Sequence, residues 1–157
     1  MTSGKSRVII ENVQPSVDNG AYAAKRTVGE RVDVTANIFG DGHDHIRASV
    51  MFKKETEKNW SSVELLETSN DEWAAAFHVL ETGRYVFTVH AWIDHFDTWY
   101  DGFKKKASAK LDVYVELQEG AIFLKALAKG NKEIAAKAKR LEDKIHYHDS
   151  IDRKSVV

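Results

Sequence analysis

Two groups of side chains in this 157-residue chain have types and spacings that could do chemistry. The run Asp41-Gly-His-Asp-His45 places two His and two Asp within five residues, a composition compatible with zinc or another transition metal. No further ligand follows at a metal-motif spacing. A polar hairpin turn therefore explains the run better, and no metal ligand is assigned. The second group alternates along one stretch: Val86, Thr88, His90, Trp92 and Asp94 fall on every second residue and share one face of a strand. An indole stacks on the apolar side of a hexose while His and Asp bind hydroxyls, so His90, Trp92 and Asp94 are candidates for a carbohydrate platform. The competing reading, which we favour from the sequence, is an interface strip covered by a neighbouring domain or helix.

Other candidates are weaker. Asp94, Asp97 and Asp101 could be imagined as the paired carboxylates of glycoside chemistry, but acidic residues after a strand are read here as turn formers. Lys104, Lys105, Lys106 and Lys110 could bind phosphate; Glu116, Glu119, Glu142 and Asp143 balance them, so they are read as a solvated helix face. His146 and His148 are expected to be exposed near a fraying end. Neither a phosphate-binding glycine loop nor a nucleophile elbow is present, and there is no cysteine to act as nucleophile, thiolate ligand or disulfide. No catalytic residue and no cofactor is assigned.

The elements that must position these residues have two textures. Through about Asp101 the period is two. Val32, Val34, Ala36 and Ile38 form one apolar row, and Ile46, Ala48, Val50 and Phe52 a second. Trp73, Ala75, Phe77 and Val79 form a third, and Tyr85, Phe87, Val89, Ala91 and Ile93 a fourth. Val8 to Val13 and Trp60 to Leu65 are fainter strands. Gly40-Asp-Gly42, Ser69-Asn-Asp71 and Thr82-Gly83 supply turns between them. Short, half-polar strands at this spacing predict a mainly β, immunoglobulin-like antiparallel sandwich.

Beyond Asp101, Lys104 to Lys129 is rich in Ala, Leu, Lys and Glu, with Leu117, Ala121, Leu124 and Ala128 at helical spacing and Gly130 as a stop. Leu111 to Val115 alternates like a strand, so this helix is expected to begin near Leu117. A second helix follows, capped by Asn131 and striped by Ile134, Ala138, Leu141 and Ile145. The prediction is a sandwich over residues 1–103 and a C-terminal α-helical hairpin over 104–157, with the tail from Asp149 frayed. Leu117, Leu124, Ile134 and Leu141 are candidates for a helical interface, because so short an amphipathic hairpin must bury its stripe on something.

Composition narrows the classes. With 43% hydrophobic and 30% charged residues the chain has the material for a core, and a net charge of -1 gives no field to hold a polyanion. Nucleic acid and membrane partners are not expected. Met1 to Arg7 leads into strand-like residues, not a signal-peptide core, so a cytoplasmic location is expected.

Particular residue runs add a family resemblance. Arg7-Val-Ile-Ile-Glu-Asn-Val-Gln-Pro15, Ala24-Lys-Arg-Thr-Val-Gly-Glu30, Phe39-Gly-Asp-Gly-His-Asp44 and Ala91-Trp-Ile-Asp-His-Phe-Asp-Thr-Trp99 resemble the N-terminal region of one bacterial enzyme family. It is the α-1,4-glucan:maltose-1-phosphate maltosyltransferases of the α-amylase superfamily. Lys104-Lys-Lys106, Val113-Tyr-Val-Glu-Leu117 and Glu119-Gly-Ala-Ile122 continue the likeness, which spans roughly residues 7–128. The resemblance implies an immunoglobulin-like domain and the start of a helical insertion domain, ahead of a (β/α)₈ catalytic barrel lying outside this sequence. It also implies a parent enzyme that transfers maltosyl from maltose-1-phosphate to α-1,4-glucan, as in glycogen biosynthesis. The implied partners are that barrel and, through a homodimer, a second copy. α-Glucan itself is a further candidate ligand.

Overall fold

Alternating apolar and polar side chains commit residues 8–94 to antiparallel strands, because only a strand turns every second side chain to the same face. The computed structural model describes residues 8–152, with side chains through residue 145. The chain divides into two compact units at the junction of Asp94 and His95.

The first unit contains six strands, β1 (Val8–Gln14), β2 (Arg31–Gly40), β3 (Ile46–Lys54), β4 (Ser61–Ser69), β5 (Glu72–His78) and β6 (Tyr85–Ile93). Their order is β1-β2-β5-β4-β3-β6, and every neighbouring pair is antiparallel. β4 divides its length between two partners: Ser61 to Leu65 pair with β3, and Leu66 to Ser69 pair with β5. This exchange turns one run of hydrogen-bonded strands into two facing layers, as in an immunoglobulin-like sandwich. Both faint strands of the sequence are present, as β1 and β4. β1 is bulged between Glu11 and Gln14, and Asn12 there takes a φ of 52°.

The inward rows are those that alternation singles out. Val32, Val34, Ala36 and Ile38 of β2 meet Ala48 and Val50 of β3, Leu65 of β4, and Trp73 and Phe77 of β5 in one buried cluster. Phe52 and Phe77 stack at 4.1 Å across the layers, with Phe87 tilted 6.4 Å beyond. Trp73 is the polar exception inside. Its indole Nε1 donates to the Ile38 carbonyl at 3.1 Å, so its buried N–H is satisfied. Phe87 and the rest of the β6 row point inward but remain half-buried, because β6 ends the strand order.

The second unit differs from the predicted hairpin in having three helices: α1 (His95–Ser108), α2 (Tyr114–Leu127) and α3 (Lys132–Asp152). α1 begins immediately after β6, so the units part at residue 94 rather than at the 103/104 boundary drawn from the sequence. Asp97 and Asp101 are therefore helical, not turn formers. Asp97 sits in the first turn of α1, where the helix dipole favours an anion, and Asp101 pairs with Lys105 one turn on at 2.7 Å. Leu111 to Val115 is not a strand: Asp112 Oδ1 accepts the Tyr114 N–H at 2.9 Å in an Asx turn, and helix α2 starts at Tyr114 instead of near Leu117. The other signals hold. Gly130 takes a φ of 89° after α2, and Asn131 Oδ1 caps α3 by accepting the N–H groups of Glu133 and Ile134 at 3.1 and 3.2 Å. α3 continues through Asp152, past the expected start of the frayed tail. Among the described residues no helix is long and apolar enough to cross a membrane.

Phe77 links the two aromatic contacts between the layers. Phe77→Ala should lower the unfolding free energy by about 3–5 kcal/mol in urea denaturation, and Phe87→Ala, on a half-buried ring, by clearly less. Equal losses would mean that β6 is covered as fully as β5.

Candidate functional site

The outward face of the β3–β6 pair positions the second group of candidate residues. Register places Trp92 opposite Arg47, His90 opposite Ser49, Thr88 opposite Met51 and Val86 opposite Lys53. On the far side of β3, Ser49 faces Glu64 and Met51 faces Ser62. Trp92 is 46% exposed and His90 is exposed beside it. Asp94 lies just past the strand end, where its carboxylate accepts from Arg47 Nε at 3.1 Å while Arg47 also reaches Glu64 at 3.4 Å. The Asp94 N–H donates to the His45 carbonyl at 2.7 Å, which pins this end of β6 to the start of β3. His90 and Trp92 thus form an open platform, and Asp94 is held at its edge by a guanidinium. Sequence reasoning missed Arg47, whose role depends on register. It also missed Trp60, 43% exposed just before β4, with Lys53 Nζ 5.1 Å from its ring centre. The surface offers hydroxyls, an imidazole and indole faces, and its carboxylates Glu64 and Asp94 are both engaged by Arg47.

The Asp41 to His45 run forms the connection between β2 and β3, with Gly42 at a φ of 80°. Among the described residues no group of three or more metal-ligating side chains converges. The lysine run is absorbed locally: Lys104 lies 4.7 Å from the Tyr100 ring centre, Lys105 pairs with Asp101, and Lys106 with Glu116. The side chains of His146 and His148 lie outside the described residues.

At the open end of the sandwich, β1 and β6 approach each other without pairing. Ile10, Val13, Phe77, Val79, Phe87 and Val89 line a groove there of about 840 Å³. It exposes core side chains.

The helical unit is built on aromatic rings. Phe96, Trp99, Tyr100 and Phe103 follow one face of α1 at helical spacing, and Phe123 of α2 meets Phe96 edge-on at 6.0 Å and Trp99 at 5.7 Å. Trp99 Nε1 donates to the Glu116 carbonyl at 2.8 Å. Its ring lies against Gly120, where any Cβ would collide with it. Glu116 is only 9% exposed and is paired with Lys106. The Lys106 ammonium and Glu116's own backbone N–H hold that carboxyl below the usual carboxylate range, against the opposing effect of burial, and the pairing raises Lys106 in turn.

The predicted helical interface residues Leu117, Leu124, Ile134 and Leu141 are all half-buried, whereas Ala121, Ala138 and Ile145 of the same two helices are buried. α2 packs on both α1 and α3. The apolar residues most open to solvent are different ones: Val115 and Ile122, seven residues apart on α2 and 59% and 68% exposed, with Leu111 and Leu127 near the helix ends.

Two outcomes test this unit. Gly120→Val should lower its melting temperature sharply, because Trp99 has to leave the α2 surface; an unchanged indole environment in near-UV circular dichroism would contradict the packing. Because folding depresses the Glu116 pKa, its stabilising effect is full above the unfolded value near 4.5 and is lost as pH falls through the folded value. The melting-temperature advantage of the parent chain over Glu116→Gln should therefore be largest at neutral pH and shrink below about pH 4.5.

Comparison with known proteins bears on what these surfaces serve. A family model described as "Alpha-1,4-glucan:maltose-1-phosphate maltosyltransferase, domain N/S" matches residues 6–155. Curated maltosyltransferases are similar to the chain. That of Chlorobaculum tepidum is 42% identical over 118 residues, covering 75% of this chain and 18% of its own length. That of Myxococcus xanthus is 39% identical over 147 residues, covering 91% and 22%. That of Cereibacter sphaeroides is 34% identical over 155 residues, covering 99% and 25%. The chain thus spans between 18% and 25% of the length of these three relatives.

Proposed function

Because the chain belongs to the α-1,4-glucan:maltose-1-phosphate maltosyltransferase family, matching its domain N/S, we propose that it is a non-catalytic N-terminal module that assembles a larger glycosyltransferase. The observation that carries this reading is one of extent: the match fills residues 6–155, yet this stretch is a quarter or less of the three relatives described. The transfer chemistry named for those relatives belongs, in this proposal, to a catalytic barrel of the α-amylase type elsewhere in the polypeptide. The parent enzyme moves maltosyl from maltose-1-phosphate to the end of an α-1,4-glucan, extending glycogen-like chains in the cytoplasm.

The module's part is contact. The groove between β1 and β6 offers unfinished core to the rest of the polypeptide, including the barrel. The Val115 and Ile122 face of α2 offers a second apolar surface to another copy, giving a homodimer. On this reading Leu117, Leu124, Ile134 and Leu141 support the interface from beneath by fixing α2 against its neighbours.

Sedimentation equilibrium over a wide concentration range tests the assembly role. The chain should associate as concentration rises. Ile122→Asp should shift it to monomer with its melting temperature nearly unchanged, whereas Leu124→Asp should lower the melting temperature. A parent chain that stays monomeric throughout, or an Ile122→Asp variant that associates as the parent does, would remove the α2 face from the interface.

A further inference from the structure

The β3–β6 face carries a second exposed indole, which the alternation of β6 alone does not reveal. Arg47, Ser49, Met51 and Lys53 form the outward row of β3, and the first and last are six residues apart, about 20 Å along a strand. Trp92 stands opposite the first of them and Trp60 lies under the ammonium of the last. The two indoles, 46% and 43% exposed, therefore mark opposite ends of one sheet face. Between them lie Ser49, Ser62, Thr88 and His90, hydroxyls and an imidazole set around the thioether of Met51, with Glu64 opposite Ser49.

Charge on this face is cancelled internally. Arg47 is held between Glu64 and Asp94, and Lys53 donates to the Glu57 carbonyl at 2.8 Å while lying over Trp60. Such a surface offers neither the net charge that captures phosphates or acidic peptides nor the contiguous apolar centre of a protein interface. Two separated ring faces with neutral donors and acceptors between them match an extended neutral polyol.

We propose that this face binds a linear α-1,4-glucan, with Trp92 and Trp60 as stacking platforms several hexose units apart and Ser49, Ser62, Thr88 and His90 as hydroxyl partners. The choice of an α-1,4-linked chain rests on the family reading above; the polyol class rests on the face itself. The site would hold a chain without acting on it.

The four tryptophans make the test internally controlled. Trp73 and Trp99 have their indole N–H groups committed to the Ile38 and Glu116 carbonyls, whereas Trp60 and Trp92 are open. On titration with maltoheptaose, the indole N–H resonances of Trp60 and Trp92 should move in NMR spectra while those of Trp73 and Trp99 stay. Trp60→Ala and Trp92→Ala should each weaken binding about tenfold, the scale of one lost ring contact. Both should leave the melting temperature near that of the parent. Absence of any shift at tens of millimolar sugar would overturn the proposal, and would do so without touching the association predicted for the α2 face. An equal response to cellohexaose would overturn the α-1,4 assignment. Movement of the Trp60 and Trp92 resonances with protein concentration alone would make the face an interface between copies and overturn the glucan site.

Discussion

β4 must serve two partners at once, and the rest of the sandwich depends on how it does so. Its first half extends the β3–β6 layer and its second half extends the β1-β2-β5 layer, with Leu65, only 1% exposed, at the change of partner. That exchange brings Phe52 over Phe77 and closes the core formed by β2, β3 and β5. With the layers fixed, every outward row is fixed too, including the one that carries Trp92. The strand order puts β1 and β6 at its two ends, not paired with each other, and the groove between them is the direct result.

An analogous constraint organises the helices. Trp99 needs a flat surface for its ring and an acceptor for its N–H, and α2 supplies both within five residues, through Gly120 and the Glu116 carbonyl. The same Glu116 then holds Lys106 of α1 through its side chain. One short segment of α2 thus holds α1 by ring packing, a neutral hydrogen bond and an ion pair. Val115 and Ile122 are left on a part of its surface that neither neighbour covers.

Much of this was legible in the sequence, and what was not has physical causes. Half-buried antiparallel strands must alternate, so the inward rows of β2, β3 and β5 could be read residue by residue. The partner exchange of β4 could not, because pairing is a long-range choice that local alternation does not encode. Helix α1 carries a signal of its own, since Phe96, Trp99, Tyr100 and Phe103 have helical spacing, but Asp97 and Asp101 beside them suggest turns. Leu111 to Val115 has a true period of two, which the Asx turn at Asp112 overrides. The exposure of His90 and Trp92 followed from alternation, whereas the hold of Arg47 on Asp94 and the second indole at Trp60 depend on cross-strand register.

On the proposed function, this chain presents surfaces and does no transfer itself. Incubating it with maltose-1-phosphate and maltohexaose, and measuring released inorganic phosphate, tests this. Release at the rate of a protein-free control is the predicted result. Sustained release proportional to the amount of chain, with lengthened oligosaccharides as products, would contradict it.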